Sequence, residues 1–495
     1  MSGSSGSSGA SDILERLRRL RAGDAPTHGG RVLSYVYDSG REELDELADA
    51  AARLARPLNG LDPTVFPSIA AMERDLVAFT RRMLHGGRSV VGSVTSGGTE
   101  SCLLAVKTAR DLWRREHPEG GRPRLLTATT VHAAFQKAAL LFDLDWDPVP
   151  CGADGAVHAA DLIARMGDDV ALVVVSAPAY PSGALDPIPA VARAAAERGI
   201  SCHVDACFGG FVLPWWPELP HWDFRVRGVT SISADVHKFG YAPKGVSVLL
   251  HGGSGHEGRR RHRTQFFATT RWSGYPVVNP TLLGSRSASP LAAAWAITQH
   301  LGDRGYAELT GAIRRVALAL MAAVDGIRGL TVMGEPAGPA IAVIADPSVP
   351  KPEQVDPHRL ADALIGYGWK IQHQPGMTQS DGVRIPHSAH LTVTPVLEQR
   401  ISEFTDALRS ASDSVRGRPR ADARMLMAGM RTLGYGEGGR VPGPEAAWRL
   451  LRMAGAAKMS GEQPMARLMA LIELLPHPVA EALLTELLAR TSEPH

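Results

Sequence analysis

The residues of this chain best suited to covalent chemistry lie in one stretch, Ser233-Ala234-Asp235-Val236-His237-Lys238-Phe239-Gly240-Tyr241-Ala242-Pro243-Lys244-Gly245. Lysines are normally exposed and charged. Lys238 instead stands between a histidine and an aromatic residue, and apolar runs flank the stretch on both sides. Burial disfavours an ammonium, so the sequence predicts a lowered pKa and a usable nucleophile here. About thirty residues upstream, His203-Val204-Asp205-Ala206-Cys207-Phe208-Gly209-Gly210 puts an acid at the end of another apolar run. In open α/β sheets that is the edge where ligands bind. A buried carboxylate requires a partner. A protonated ring nitrogen satisfies it; so does a surface cation, or a helix N-terminus that it caps. A further hundred or so residues upstream lies Thr95-Ser96-Gly97-Gly98-Thr99-Glu100-Ser101, after an apolar run and before a helical one. Small residues at a helix N-terminus bring backbone N–H groups to an anion, although plain Ser/Thr capping accounts for the same residues. The stretch is neither GxGxxG nor GxxxxGK[ST], which points away from a dinucleotide and towards a lone cofactor phosphate.

Phosphate cup, acid and lysine follow in the order required by pyridoxal 5′-phosphate (PLP) enzymes of the aspartate-aminotransferase fold, fold type I. Lys238 then holds the cofactor as a Schiff base, and Asp205 keeps its pyridine nitrogen protonated. The elements that must position these groups are legible as short apolar runs at 90–94, 124–127, 170–175, 200–204, 229–232 and 246–250, alternating with helical stretches. This is the pattern of a mostly parallel sheet covered by helices. The expected α/β organisation is a flexible linker at 1–10, an N-terminal helical segment and loop at 11–67, and a large PLP-binding domain at 68–325. A smaller C-terminal α/β domain at 326–415 and a helical extension at 416–495 follow. The first ten residues lack the charged and apolar parts of a signal peptide. No apolar run reaches membrane-spanning length. A formal net charge of +2 argues against a nucleic-acid partner, and the basic run 259–263 reads as a solvated loop. Four cysteines without CxxC or metal-like spacing suggest a reducing, cytoplasmic setting and no metal site.

Residues 30–400 resemble the sphingosine-1-phosphate lyase family, soluble bacterial type, within the group II decarboxylase-like PLP enzymes. The segments that carry the likeness are VGSVTSGGTESCLLAVKTARD (91–111), VHAAFQKAA (131–139), SAPAYPSGALDPI (176–188), HVDACFGGF (203–211), SADVHKFGYAPKG (233–245) and NPTLLGSR (279–286). The resemblance implies roles residue by residue. Lys238 is the cofactor lysine, Asp205 the pyridinium partner and His132 the imidazole stacked on the ring. Ser96, Gly97, Gly98 and Thr99 form the phosphate cup, with His237 beside it. Tyr37, Tyr180 and Lys244 line the substrate side. Asn59, Asp62 and Arg286 belong to the substrate-binding set, and a homodimer shares the site, with residues 265–289 reaching the partner. The implied activity is carbon–carbon cleavage of a small amine; the alternative is amino-acid decarboxylation. The substrate half departs from the family. Asn59-Gly60-Leu61-Asp62-Pro63 places an acid where a histidine or asparagine is usual, Asn279 replaces a serine, and Ser287-Ala288-Ser289 follows the GSR. A carboxylate beside a phosphate dianion is repulsive by about 1 kcal/mol even when well screened.

Overall fold

A computed structural model describes residues 9–453 and 464–494. Of the expected linker at 1–10, residues 1–8 lie outside the described part, and Ala10 already opens the helix Ala10–Arg21.

Seven strands form the large sheet: β1 (Val91–Thr95), β2 (Arg124–Ala128), β3 (Asp145–Val149), β4 (Val170–Ser176), β5 (Ser201–Asp205), β6 (Ser231–Ala234) and β7 (Ser247–His251), in the order β1-β7-β6-β5-β4-β2-β3. Only β7 runs antiparallel to its neighbours. Every residue of β4 to β7 is buried, since helices cover both faces and leave no polar side to alternate. The sequence reading missed β3, whose Asp-Trp-Asp-Pro-Val carries two acids and a proline. It is an edge strand, where Pro148 costs no needed N–H, and Asp145 and Asp147 pair with Arg122 and Arg124.

The hairpin β8 (Phe267–Thr269)–β9 (Val277–Asn279) follows. The helix Ser289–Asp325, interrupted at Gly302 (φ 51°), then leads to a second, antiparallel sheet. That sheet orders β10 (Leu330–Val332), β11 (Ala340–Ala345), β15 (Ser388–Thr392) and β12 (Gln372–Gln374). A short ladder of β13 (Met377–Thr378) with β14 (Arg384–Ile385) sits between its last two strands in sequence. The N-terminal segment is stitched to this smaller unit: Leu33 N donates to Lys370 O, and Thr392 N donates to Leu33 O, each at 2.8 Å. One continuous apolar cluster runs through both sheets. The helices Arg424–Thr432, Pro444–Met453, Ala466–Leu474 and His477–Ser492 enclose a separate core built on Met427, Leu450, Leu471 and Leu483. They dock on the small sheet unit through Asp362, whose carboxylate accepts from Met465 N (2.8 Å) and Ala466 N (3.2 Å). Among the described residues no helix is long and apolar enough to cross a membrane.

Candidate active site

The parallel register aligns Ser176, Asp205 and Ser233 at the carboxyl ends of β4, β5 and β6. A cleft of about 520 Å³ opens above this row. Ser96, Gly97, Gly98, Thr99, His132, Tyr180, Asp205, His237, Lys238 and Tyr37 all line it.

The cup is the turn between β1 and the helix Gly98–Glu116. Gly97 adopts φ 156°, and a Cβ there would meet the His237 ring at 3.2 Å. A Cβ on Gly98 would lie 2.6 Å from Asp235 Oδ2 and 2.9 Å from Cys207 Sγ. Both positions therefore need glycine for close approach. The sequence reading gave Glu100 no role. Its carboxylate is buried and accepts from Ser96 N and Leu282 N, each at 2.6 Å, tying the cup to the 281–286 loop.

Lys238 Nζ lies 3.0 Å from Asp235 Oδ2, and His237 Nε2 lies 3.5 Å from the same oxygen. Burial opposes a charge on Asp235, but attraction to Lys238 first, and then to His237, outweighs it and holds the carboxyl below its ordinary range. Its Oδ1 is buried and has no hydrogen-bond partner. The expected depression of the Lys238 amine is not what the geometry produces. Burial pulls its pKa down, yet Asp235, followed by Tyr37, more than compensates, and the amine is held above the usual lysine value. The lowered amine is Lys244, brought to about 8 by burial and then by repulsion from Lys238. Although its stem is open to solvent, its Nζ donates to His237 O at 2.8 Å and sits 4.4 Å over the Tyr37 ring.

Asp205 is 8% exposed. Its Oδ1 accepts from Cys207 N (3.0 Å) and, more distantly, from Ser233 Oγ (3.4 Å). Ser233 also contacts His203 Nε2 at 3.1 Å, and His203 Nδ1 meets Ser231 Oγ at 2.8 Å. Burial lowers the His203 pKa to about 4, so at neutral pH His203 adds no competing cation beside Asp205. His132 stands on the loop before the helix Ala134–Phe142, and its Nδ1 accepts from Ala134 N at 3.2 Å. That leaves the proton on Nε2.

Two residues of the small sheet, both unforeseen, clamp Tyr180. Gln372 and His390 are directly opposed in the β12–β15 register. Gln372 Oε1 accepts from the Tyr180 hydroxyl at 2.6 Å, and His390 Nε2 meets Tyr180 O at 2.9 Å. The His390 ring packs on the Tyr180 ring with centroids 4.3 Å apart. Burial pushes the Tyr180 pKa up to about 12 and the His390 pKa down to about 4, so both are neutral hydrogen-bond donors near pH 7. Their separation along the chain leaves no local pattern that would reveal the pairing.

Asn59, Asp62 and Arg286 do not line this cleft. Asn59 Oδ1 accepts from Leu61 N and Arg286 N. Asp62 Oδ1 accepts from Thr64 N (2.8 Å) and Thr64 Oγ1 (2.6 Å), which closes the turn before the helix Pro67–Met83 and lowers its pKa. Asp62 and Arg286 border a second cavity of about 1070 Å³, together with Arg74, Arg81 and Arg263.

Comparison with known proteins supplies the family. Residues 45–257 match the pyridoxal-dependent decarboxylase conserved domain. The sphingosine-1-phosphate lyase of Oryza sativa is 35% identical over 83% of this chain and 74% of its own length. This chain belongs to the sphingosine-1-phosphate lyase family. Sphingosine-1-phosphate lyase 1 of Rattus norvegicus is 34% identical over 79% of the chain, which spans 66% of that relative. A sphingosine-1-phosphate lyase structure from Burkholderia pseudomallei superposes with a TM-score of 0.75 at 32% identity, covering 88% of this chain and 96% of that one. Glutamate decarboxylase of Lactobacillus brevis shares the fold, with a TM-score of 0.72 at 19% identity over 85% of this chain and 96% of its own. Residues 426–490 match the pyridoxal-dependent enzyme C-terminal putative HTH domain.

The protein is thus a PLP-dependent lyase of the α/β fold that the sequence predicts. The residues present fit that cofactor. The Gly97–Gly98 cradle is one a Cβ would fill, Asp205 is an acid at the carboxyl edge of the sheet, and Lys238 lines the same cleft.

Proposed function

We propose that this lyase cleaves the Cα–Cβ bond of a phosphorylated β-hydroxy amine. Lys238 carries the cofactor, Asp205 faces its ring nitrogen, and His132 stacks on the ring. Ser96, Gly97, Gly98, Thr99 and His237 receive its phosphate. When bound, PLP supplies the electron sink for charge left on Cα. The protein's own task is to take the hydroxyl proton, hold the Cα–Cβ bond in line for cleavage, and return a proton to Cα. Tyr37 and Tyr180 line the cleft, and Lys244, behind them over the Tyr37 ring, completes the set for the proton transfers. The observation that carries the reading is the lining itself. Among the described residues the cleft has no arginine for a substrate α-carboxylate, while three tyrosines, Tyr35, Tyr37 and Tyr180, line it. That favours an amino alcohol over the alternative, an amino acid to be decarboxylated.

The second cavity supplies the anion site on this reading. Asp62 is occupied by Thr64, Arg286 is positioned by Asn59 and lies 3.9 Å from Glu73 in the same cavity, and Arg74, Arg81 and Arg263 line it as further cations for a phosphate. In a homodimer with a shared site, the second cavity of one subunit serves the cleft of the other. Four free buried cysteines fit a reducing, cytoplasmic setting. The deciding experiment supplies holoenzyme with a phosphorylated long-chain amino alcohol or with L-amino acids. An aldehyde plus an aminoalkyl phosphate supports the reading; carbon dioxide from an amino acid and no aldehyde would overturn it.

Two predictions follow from the geometry around the substrate side. Lys244 is effective as a base only as the neutral amine, which predominates above about pH 8. Turnover should therefore rise through that range and flatten above it, and Lys244→Met should lose the limb; an unchanged pH profile counts against Lys244 as the base. The Gln372–Tyr180 hydrogen bond is a net contribution of about 1 kcal/mol, a factor of about five. Gln372→Leu should lower kcat by that order, and combining it with Tyr180→Phe should add nothing. Additive losses would show that Gln372 does not act through Tyr180.

A further inference from the structure

We infer that the cavity between the small sheet unit and the C-terminal helices binds a phosphorylated small molecule, separately from the PLP site. It measures about 980 Å³. Its basic residues are Lys351, Arg359, Arg384, Arg418, Arg420 and Arg424, and its acids are only Asp356, Asp422 and Glu473.

The acids are largely committed. Glu473, with a side chain 2% exposed, receives both Arg384 and Arg420, so one buried carboxylate faces two guanidiniums. Asp356 Oδ1 caps the helix Pro357–Ile365 through Arg359 N at 2.9 Å, and its Oδ2 meets His387 Nε2 at 2.8 Å. Asp422 Oδ1 accepts from Arg424 N at 2.8 Å and lies 4.0 Å from that guanidinium. Among the described residues, Lys351 and Arg418 have no ion-pair partner, and the buried Nε of Arg420 has no hydrogen-bond partner. Like charges gathered on a concave wall repel one another, and an anion with several acceptor oxygens relieves that repulsion while using the guanidinium forks.

The size of the cavity selects the class. Inorganic phosphate would fill a small part of it, whereas a phosphate ester with an organic body of nucleotide size falls within the usual range of ligand pockets. Duplex DNA is the other polyanion to consider, because this segment matches a putative HTH domain. Residues 426–490 carry seven basic against six acidic side chains, which lacks the excess positive charge of a DNA-backbone footprint. The excess charge is concentrated in the cavity and in the connection at 416–424 that forms one of its walls. A bound phosphate ester would bridge the small sheet unit and the C-terminal helices.

The test uses PLP-saturated full-length protein, so that the cup is already filled. Pyrophosphate and adenosine 5′-monophosphate are titrated calorimetrically, with sulfate and a short DNA duplex as further arms, and melting temperature is followed in parallel. The expected result is one equivalent of a phosphate compound bound with a rise in Tm. Lys351→Glu combined with Arg418→Glu should weaken it by at least about tenfold without altering the cofactor absorbance, as reversal of two unpaired surface charges allows. Absence of binding by both phosphate probes, equal affinity in the double variant, equal binding of sulfate, or tighter binding of duplex DNA would each overturn the proposal.

Discussion

Lys238→Ala should remove the visible absorbance that the holoenzyme shows and that borohydride bleaches, and should lower turnover by at least about a thousandfold. Lys238 is the lysine whose amine lies in the cleft above the row of strand ends and next to the cup. Lys244 is unable to replace it, because its amine is drawn to His237 O and to the Tyr37 face. The same substitution has a cost in stability. It takes from the buried Asp235 its nearest cation, leaving His237 at 3.5 Å. Removing one partner of a fully buried pair costs about 3–5 kcal/mol. Lys238 keeps 22% of its side chain accessible, so about 1–2 kcal/mol is the better expectation after solvent screening. Lys238→Ala with Asp235→Asn should recover the Tm and remain colourless. A coloured, borohydride-sensitive Lys238→Ala protein would refute the assignment of the cofactor lysine.

Asp205→Asn should leave the cofactor bound and reducible by borohydride while turnover falls by about a hundred- to thousandfold, the loss typical of removing one preorganised electrostatic contact in a water-poor site. The replacement is close to isosteric, and its amide oxygen can still accept from Cys207 N and Ser233 Oγ. The fold should therefore stand, with a Tm near that of the parent. On the proposed assignment, what is lost is the negative charge that would keep the cofactor's ring nitrogen protonated. The neighbouring His203, held neutral by burial, offers no substitute. Turnover within a factor of about two of the parent would mean that Asp205 is a structural carboxylate, the reading that an acid at a strand end always leaves open.

The order of cup, acid and lysine was legible along the chain because each is attached to a local feature. Gly97 and Gly98 mark a strand-to-helix turn, Asp205 ends an apolar strand, and Lys238 follows another. In a parallel sheet, all such strand ends face the same edge, so reading the elements already brings the three groups to one side of the domain. Edge strand β3 escaped because its two acids, which pair with Arg122 and Arg124, and its proline leave no apolar pattern. The resemblance puts Asp62 in the substrate-binding set as an acid where a histidine or asparagine is usual, and the turn to Thr64 shows that its carboxylate has a local use.

Charge states and cross-domain contacts belong to another level. The amine expected to be lowered was Lys238, yet the spacing of three residues back to Asp235 raises it, and Lys244 is lowered in its place. Burial and Coulomb terms act with opposite sign on these amines, and which one wins depends on distances of a few ångströms that only packing sets. The clamp on Tyr180 requires β12 and β15 of the small sheet to lie against the cleft of the large one. The arginine-lined cavity requires the C-terminal helices to settle on that same small unit. Residue type and local periodicity therefore specified the cofactor chemistry, since both are encoded within one strand and the turn after it. Protonation, positioning of Tyr180 and the second basic cavity arise from side chains brought together over long stretches of chain, which no local pattern records.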